Sequence, residues 1–302
     1  MAITDTTARF LFLSKSLGVS FKNMLTIGRL SIKVNPSLIN ELTSKYHIDS
    51  GTNAQGRKDP MSPEEFFSIL GSRRTDSIDY SEYEGATIIH DMNKEVTENM
   101  FNQYSVVIDG GSLEHIFNFP TAIRNCMMMV KQGGHFISFA PLNNLMGHGF
   151  YQFSPELFFR VFTEENGFKI IRMYLVASHF YNDVSSWYTV TDPEAINERV
   201  QLTNAAPVYL LFLAEKIKDI IPFRTFPNQV DYIKAWEKSD KKIVEKKESA
   251  NFIKGIYRKL VNEKIRYKFR KIYNRFVRDV NKEQNLEKIN KKYFRKYKIK
   301  NN

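Results

Sequence analysis

One cysteine in 302 residues excludes a disulfide within the chain and suits a reducing compartment. That cysteine, Cys126, sits in the apolar run 126–130 and reads as a small core residue. No apolar run approaches the roughly 20 residues that cross a bilayer. The first twenty residues carry neither a basic leader nor a small-residue cleavage site, and read instead as a helix with an apolar patch at 10–13. These absences point to a soluble, cytoplasmic protein, or to one held at a membrane surface from outside. Acidic residues are scarce at one end only. Residues 241–302 hold 22 Lys+Arg against 6 Asp+Glu, a balance of +16, which leaves −5 for residues 1–240 within the total of +11. Any electrostatic attraction to an anionic partner therefore belongs to the tail.

What is present is enough to fold. Apolar residues make up 42% of the chain and aromatic residues 14%, which excludes wholesale disorder. Between about residues 20 and 217, short apolar runs alternate with helix-length segments, the pattern of parallel strands joined by crossover helices. Strands are expected at 24–27, 77–80, 86–90, 104–108, 135–140, 168–176 and 208–214. The run at 104–108 is almost continuously apolar, as a strand covered on both faces should be. A helix is expected at 120–130 with Gly133-Gly134 as its stop. Another is expected from Ser154-Pro155-Glu156, which supplies an N-cap, a first-turn proline and an early acid, through about 165. The span from 28 to 77 is too long for one crossover. Its polar part at 49–60 and a short helix after Ser62-Pro63 read as an inserted lid. Residues 178–206 read as a second insertion. The expected division is an N-terminal helix (1–20), an α/β domain (21–222), a linker (223–240) and a basic amphipathic helical tail (241–302). In the tail, Phe252, Ile256, Leu260, Ile265, Phe269 and Ile272 recur at helical spacing.

In open α/β sheets ligands bind beyond the carboxyl ends of the strands, so the residues after each run matter most. They are Gly28-Arg29, Asp79, Asp91, then Asp109-Gly110-Gly111-Ser112-Leu113-Glu114-His115, and finally Gly147-His148-Gly149-Phe150-Tyr151. No metal-ligating spacing is read among them.

The stretches YSVVIDGGSLEH (104–115) and KQGGHFISFAP (131–141), in this order, resemble class I S-adenosylmethionine-dependent methyltransferases of the small-molecule type. The resemblance covers about residues 21–217. It implies a doubly wound, mostly parallel seven-stranded, Rossmann-like sheet, with the last two strands forming an antiparallel hairpin. It also implies S-adenosylmethionine as cofactor. Asp79 then matches the acid that holds the ribose, Asp91 the polar residue beside the adenine, and Asp109, Gly110, Gly111 and Ser112 the cofactor's methionine side. The family's glycine-rich loop is reduced here to Gly28-Arg29-Leu30. Arg29 either grips the cofactor carboxylate, as a guanidinium can, or blocks the site.

Plainer readings stand beside these. Asp79 and Asp91 also suit turn or cap positions, and Glu114 suits the first turn of a helix, where its charge meets the dipole. His148 and Tyr151 are candidates for contact with the acceptor, with His148 as a general base. The expected reaction is methyl transfer to an oxygen or nitrogen of a small molecule or glycan. The alternatives are an inactive binding module that works through its tail, and a nucleic-acid methyltransferase. The tail itself reads as a solvated helical hairpin, as a contact for an anionic membrane surface or a partner protein, or as a nucleic-acid binder.

Overall fold

The computed structural model describes residues 2–48, 61–177, 187–196, 199–233 and 294–297. The chain divides into two units. The first comprises residues 1–190, 207–227 and 296–302, and the second residues 191–206 and 228–295.

The first unit begins with β1 (Ala2–Thr4) and α1 (Asp5–Ser16), continues through β2 (Asn23–Ile27), β3 (Ser31–Lys33) and α2 (Pro36–Lys45), then α3 (Pro63–Ile69), β4 (Arg74–Asp79) and β5 (Ile88–Ile89). It goes on with β6 (Tyr104–Asp109), α4 (Phe119–Met129), β7 (Val130–Asn143), α5 (Pro155–Val161), β8 (Phe168–Ala177), β9 (Trp187–Val190) and β10 (Val208–Lys216). The last strand is β11 (Phe294–Tyr297). In the second unit a short helix, Pro193–Ile196, starts where Asp192 Oδ1 accepts the Glu194 N–H at 2.9 Å. Residues 230–233, expected in a linker, are helical and belong to this unit.

The main sheet runs β11-β9-β8-β10-β7-β6-β2-β4-β5. Its centre is parallel: β2 pairs with β4 and β6, β4 with β5, and β6 with β7. Its other half is antiparallel, with β10 between β7 and β8, and β9 beside β8. The sheet is therefore mixed and nine-stranded, a correction to the mostly parallel seven-stranded expectation. The antiparallel pair β8 and β10 is the hairpin that the resemblance implied.

Alternation along the strands builds two cores. Ile137 and Phe139 on β7, with Leu211 and Leu213 on β10, join the cluster under α1. There the Phe10 ring meets Phe139, Tyr174 and Trp187 edge-on at 5.9–6.1 Å. Phe136 and Phe212, one residue out of step, pack with Phe158 and Phe162 of the α5 segment. All six residues of β6 are buried, as its apolar run predicts.

Several boundaries differ from expectation. Gly133-Gly134 does not end a helix; it lies within β7. The register passes from Tyr104↔Val130 to Val106↔His135, so residues 131–134 bulge out of the ladder. α5 stops at Val161, and a separate 3-10 turn (Glu164–Asn166) closes on Gly167. The span after Gly28, expected to be an inserted lid, holds β3 and α2. α3 does form after Ser62-Pro63: Ser62 Oγ accepts the Glu65 N–H at 3.1 Å, and Glu65 Oε2 accepts the Ser62 N–H at 2.8 Å. Residues 49–60 and 178–186 of the expected lids lie outside the described residues. So does the expected helical tail, 241–302, apart from β11, which is a strand. There Tyr297 packs 4.7 Å from the Tyr174 ring. Among the described residues no helix is long and apolar enough to cross a membrane.

Candidate functional site

The chain leaves β2 toward β4 and β5 on one side, then returns to place β6 and β7 on the other. At that reversal the strand-end loops part and leave a crevice of about 310 Å³, lined by Gly28, Asp79, His90, Asp91, Asn93, Ser112 and His115 among others.

Two carboxylates face it from neighbouring strand ends. Asp79 closes β4, where its Oδ1 accepts the Tyr80 N–H at 2.7 Å and its carbonyl accepts the His90 N–H at 2.8 Å. Asp91 follows β5, and its Oδ1 accepts both the side-chain and backbone N–H groups of Asn93, at 2.8 and 3.0 Å. Those bonds, the side-chain one foremost, hold the Asp91 carboxyl below the usual carboxylate range. Asn93 is itself anchored, for Asn118 donates its backbone N–H to Asn93 Oδ1 and its amide to Asn93 O, each at 2.9 Å.

The loop after β6 is built around Asp109. Its Oδ1 accepts N–H bonds from Gly111 (3.2 Å), Ser112 (2.8 Å) and Leu113 (3.2 Å), and its Oδ2 accepts the Ser138 hydroxyl at 2.7 Å. Burial pushes this carboxyl up while the four donors pull it down. Burial outweighs the donors, so the carboxyl stands above the usual carboxylate range, and its four bonds fix the loop around it. Asp109 therefore braces the loop from inside and is not among the residues that line the crevice. Gly110 and Gly111 do not line the crevice either. Ser112 does, and its Oγ donates to the Ile27 carbonyl at 2.5 Å, tying β6 to β2.

The Gly28 loop is tied into the protein on both sides. Arg29 forms an ion pair with Glu64 of α3 at 2.7 Å, so its guanidinium is engaged within the protein. Leu30 is buried against Gly110, where a Cβ would lie 2.5 Å from Leu30 Cδ2. Gly28, at φ 76°, keeps its backbone on the crevice.

Beside the crevice lies a cluster that the sequence reading named residue by residue but not as a set. After a 3-10 turn (Leu113–His115), Glu114 is 1% exposed and neither of its carboxylate oxygens has a hydrogen-bond partner. His148 Nε2 lies 3.3 Å from Glu114 Oε1, and His115 Nε2 4.0 Å, neither aligned as a hydrogen bond. Burial first, and the Asp109 charge second, push the Glu114 carboxyl up to about 8. Burial, with the neighbouring His148, pulls His115 down. The two imidazole rings are 5.4 Å apart. The backbone holds the two loops together: the Glu114 carbonyl accepts N–H bonds from Phe150 at 2.8 Å and Tyr151 at 3.3 Å. Residue 149 must be glycine for this approach, since a Cβ there would lie 2.9 Å from that same carbonyl oxygen. Tyr151 donates its hydroxyl to the Phe117 carbonyl at 2.7 Å and packs on Phe119 and Phe153, which makes it a wall of the loop. The signal that could have found the cluster is the pair of segments Leu113-Glu114-His115 and Gly147-His148-Gly149, which follow adjacent strands.

No protein-family model and no curated protein matches this chain. Among solved structures it is similar to the N-methyltransferase NodS of Bradyrhizobium japonicum bound to S-adenosyl-L-homocysteine, at 13% identity and TM-score 0.37, over 70% of this chain and 86% of that one. It is similar to TehB of Haemophilus influenzae, at 13% and 0.36, over 68% and 61%. It is also similar to a branched-chain polyamine synthase of Thermus thermophilus, at 13% and 0.35, over 75% and 60%. At these scores none of the three assigns an activity or a ligand to the chain.

Proposed function

We propose that this protein is an S-adenosylmethionine-dependent methyltransferase that acts on an oxygen or nitrogen of a small molecule or glycan. The observation that carries the reading is the convergence of Asp79 and Asp91 on one crevice at the chain reversal, which Gly28 and Ser112 also line. A volume of about 310 Å³ is at the low end for ligand pockets, which run roughly 300–1,000 Å³. The donor set suits a nucleoside: two carboxylates accept from sugar hydroxyls or a base amine, and the Gly28 backbone permits close approach. The amino-acid end fits less closely, because Arg29 is paired with Glu64 and Leu30 fills the space against Gly110. That end would rest on Ser112 and on the backbone at Gly28.

When bound, S-adenosylmethionine supplies an activated methyl group on a sulfonium. The residues of this chain supply position, which is the main source of acceleration when two reactants are held in line. While uncoordinated, His148 and His115, both partly exposed beside the crevice, are placed to take a proton from an acceptor. In its ionised form, Glu114 next to them would stabilise the imidazolium that results. The exposed rings of Phe117 and Phe150, 6.1 Å apart, offer the acceptor an aromatic wall.

Isothermal titration with S-adenosylmethionine and S-adenosyl-L-homocysteine tests this reading. One-to-one binding that weakens in Asp79→Ala is expected. Absence of heat at millimolar cofactor rules the enzyme out. It would favour a second reading, a methyltransferase-like binding module without catalysis, which the closed Gly28-Arg29-Leu30 loop supports.

A further inference from the structure

We propose that Glu114, His115 and His148 form a binding site for a divalent transition-metal ion of the zinc and cobalt class. Three observations converge on it. First, the three side chains present ligand atoms that all lie within 4.8 Å of one another. Two ligands on a tetrahedral ion, each at about 2.0–2.1 Å, are separated by roughly 3.4 Å. The His148–Glu114 distance of 3.3 Å already matches that edge. His115, at 4.0 Å, closes the remainder by a small ring rotation, which its exposed side chain permits.

Second, Glu114 is a buried carboxylate with no hydrogen-bond partner on either oxygen. Such a group is costly to leave unsatisfied and is rare in folded proteins. A coordinated cation satisfies it, and no donor among the described residues does.

Third, the ligand-bearing loops are held together before any ion arrives. The N–H groups of Phe150 and Tyr151 bind the Glu114 carbonyl, Gly149 packs against it, and the His148 N–H is donated to the Leu145 carbonyl at 3.0 Å. His148 is thus fixed beside Glu114 by main-chain bonds and not by its own side chain. Such a framework lowers the ordering cost of binding.

The donor set selects the ion. Two imidazole nitrogens and one carboxylate oxygen suit zinc, cobalt or ferrous iron better than magnesium or calcium, which take oxygen ligands. Three protein ligands leave a coordination position open, and His115 also lines the crevice, so that position is within reach of a molecule bound there.

The test uses the full-length, untagged protein, stripped of metal by a chelator and titrated with cobalt(II). One equivalent of cobalt, with the visible absorption of a tetrahedral or five-coordinate ion, is expected, and zinc should displace it. His148→Ala and Glu114→Gln should each weaken binding by at least about 100-fold, the upper end of what losing a supporting group costs. His115→Ala should do the same, while His47→Ala, outside the cluster, should leave it unchanged. Circular dichroism on each variant separates loss of the site from loss of the fold. A wild-type protein that takes up no stoichiometric cobalt overturns the assignment. So does cobalt binding that survives both His115→Ala and His148→Ala in folded protein. Cobalt binding and S-adenosylmethionine binding are separate readouts, and either can fail while the other stands.

Discussion

The carboxylate of Asp109 accepts four hydrogen bonds, whereas Glu114, five residues on in the same loop and also buried, accepts none. Asp109 turns three backbone N–H groups inward and fastens the loop to Ser138 on β7. Its accepting capacity is used up in shaping the chain. Glu114 contributes its carbonyl to the neighbouring loop, and its carboxylate faces two imidazoles without a hydrogen bond. Burial without partners costs stability, so that carboxylate is kept for something other than folding. The two ends of the loop thus separate structure from chemistry, and each can be probed alone.

Asp109→Ala should have the largest effect. It strands three N–H groups and a hydroxyl in the interior, and a loss of about 3–5 kcal/mol is expected from urea unfolding. A loss below about 1 kcal/mol would show that the loop does not depend on it.

Glu114→Gln should act in the opposite direction in protein without added cation. The folded carboxyl is raised to about 8 from 4.5, so the folded state holds the proton more tightly than the unfolded chain does. Wild-type stability should therefore be undiminished below about pH 4.5, fall as pH rises toward 8, and level off above it. The variant lacks this titration, so its Tm advantage should grow between pH 5 and 8. A gap that does not change with pH would contradict the unpartnered, raised carboxyl.

The third prediction concerns binding. Asp79→Ala should weaken S-adenosyl-L-homocysteine by roughly 10- to 100-fold, the value of a hydrogen bond to a charged group. Asp109→Asn, which keeps the shape and one acceptor, should weaken it less. The smallest effect is expected for Arg29→Ala. An exposed ion pair with Glu64 contributes about 0.2–1 kcal/mol, and cofactor affinity should not change. A large fall in affinity would return Arg29 to the cofactor.

Strands β2, β6, β7, β8 and β10 were legible because each contains a mostly apolar run, and so was the placing of Asp79 and Asp91 at strand ends on one crevice. β3 and β9 were not, since three or four residues carry too little periodicity to register. α2 did have a signal, Asn35 as cap and Pro36 in the first turn, which lay hidden in a span read as one insertion. Gly133-Gly134 reads equally as helix stop or strand bulge; only the ladder with β6 decides. The site was half legible. Which end of each loop turns inward depends on donors from Ser138 and from residues 111–113, and the meeting of Glu114 with His148 depends on the register of β6 against β7. Neither is written in local sequence.

A crystal structure of the protein with S-adenosyl-L-homocysteine tests the central assignment most directly. The adenosine should lie in the crevice with its ribose hydroxyls on Asp79 and its base beside Asp91. Ligand bound elsewhere, or a crevice left empty at saturating ligand, would contradict it.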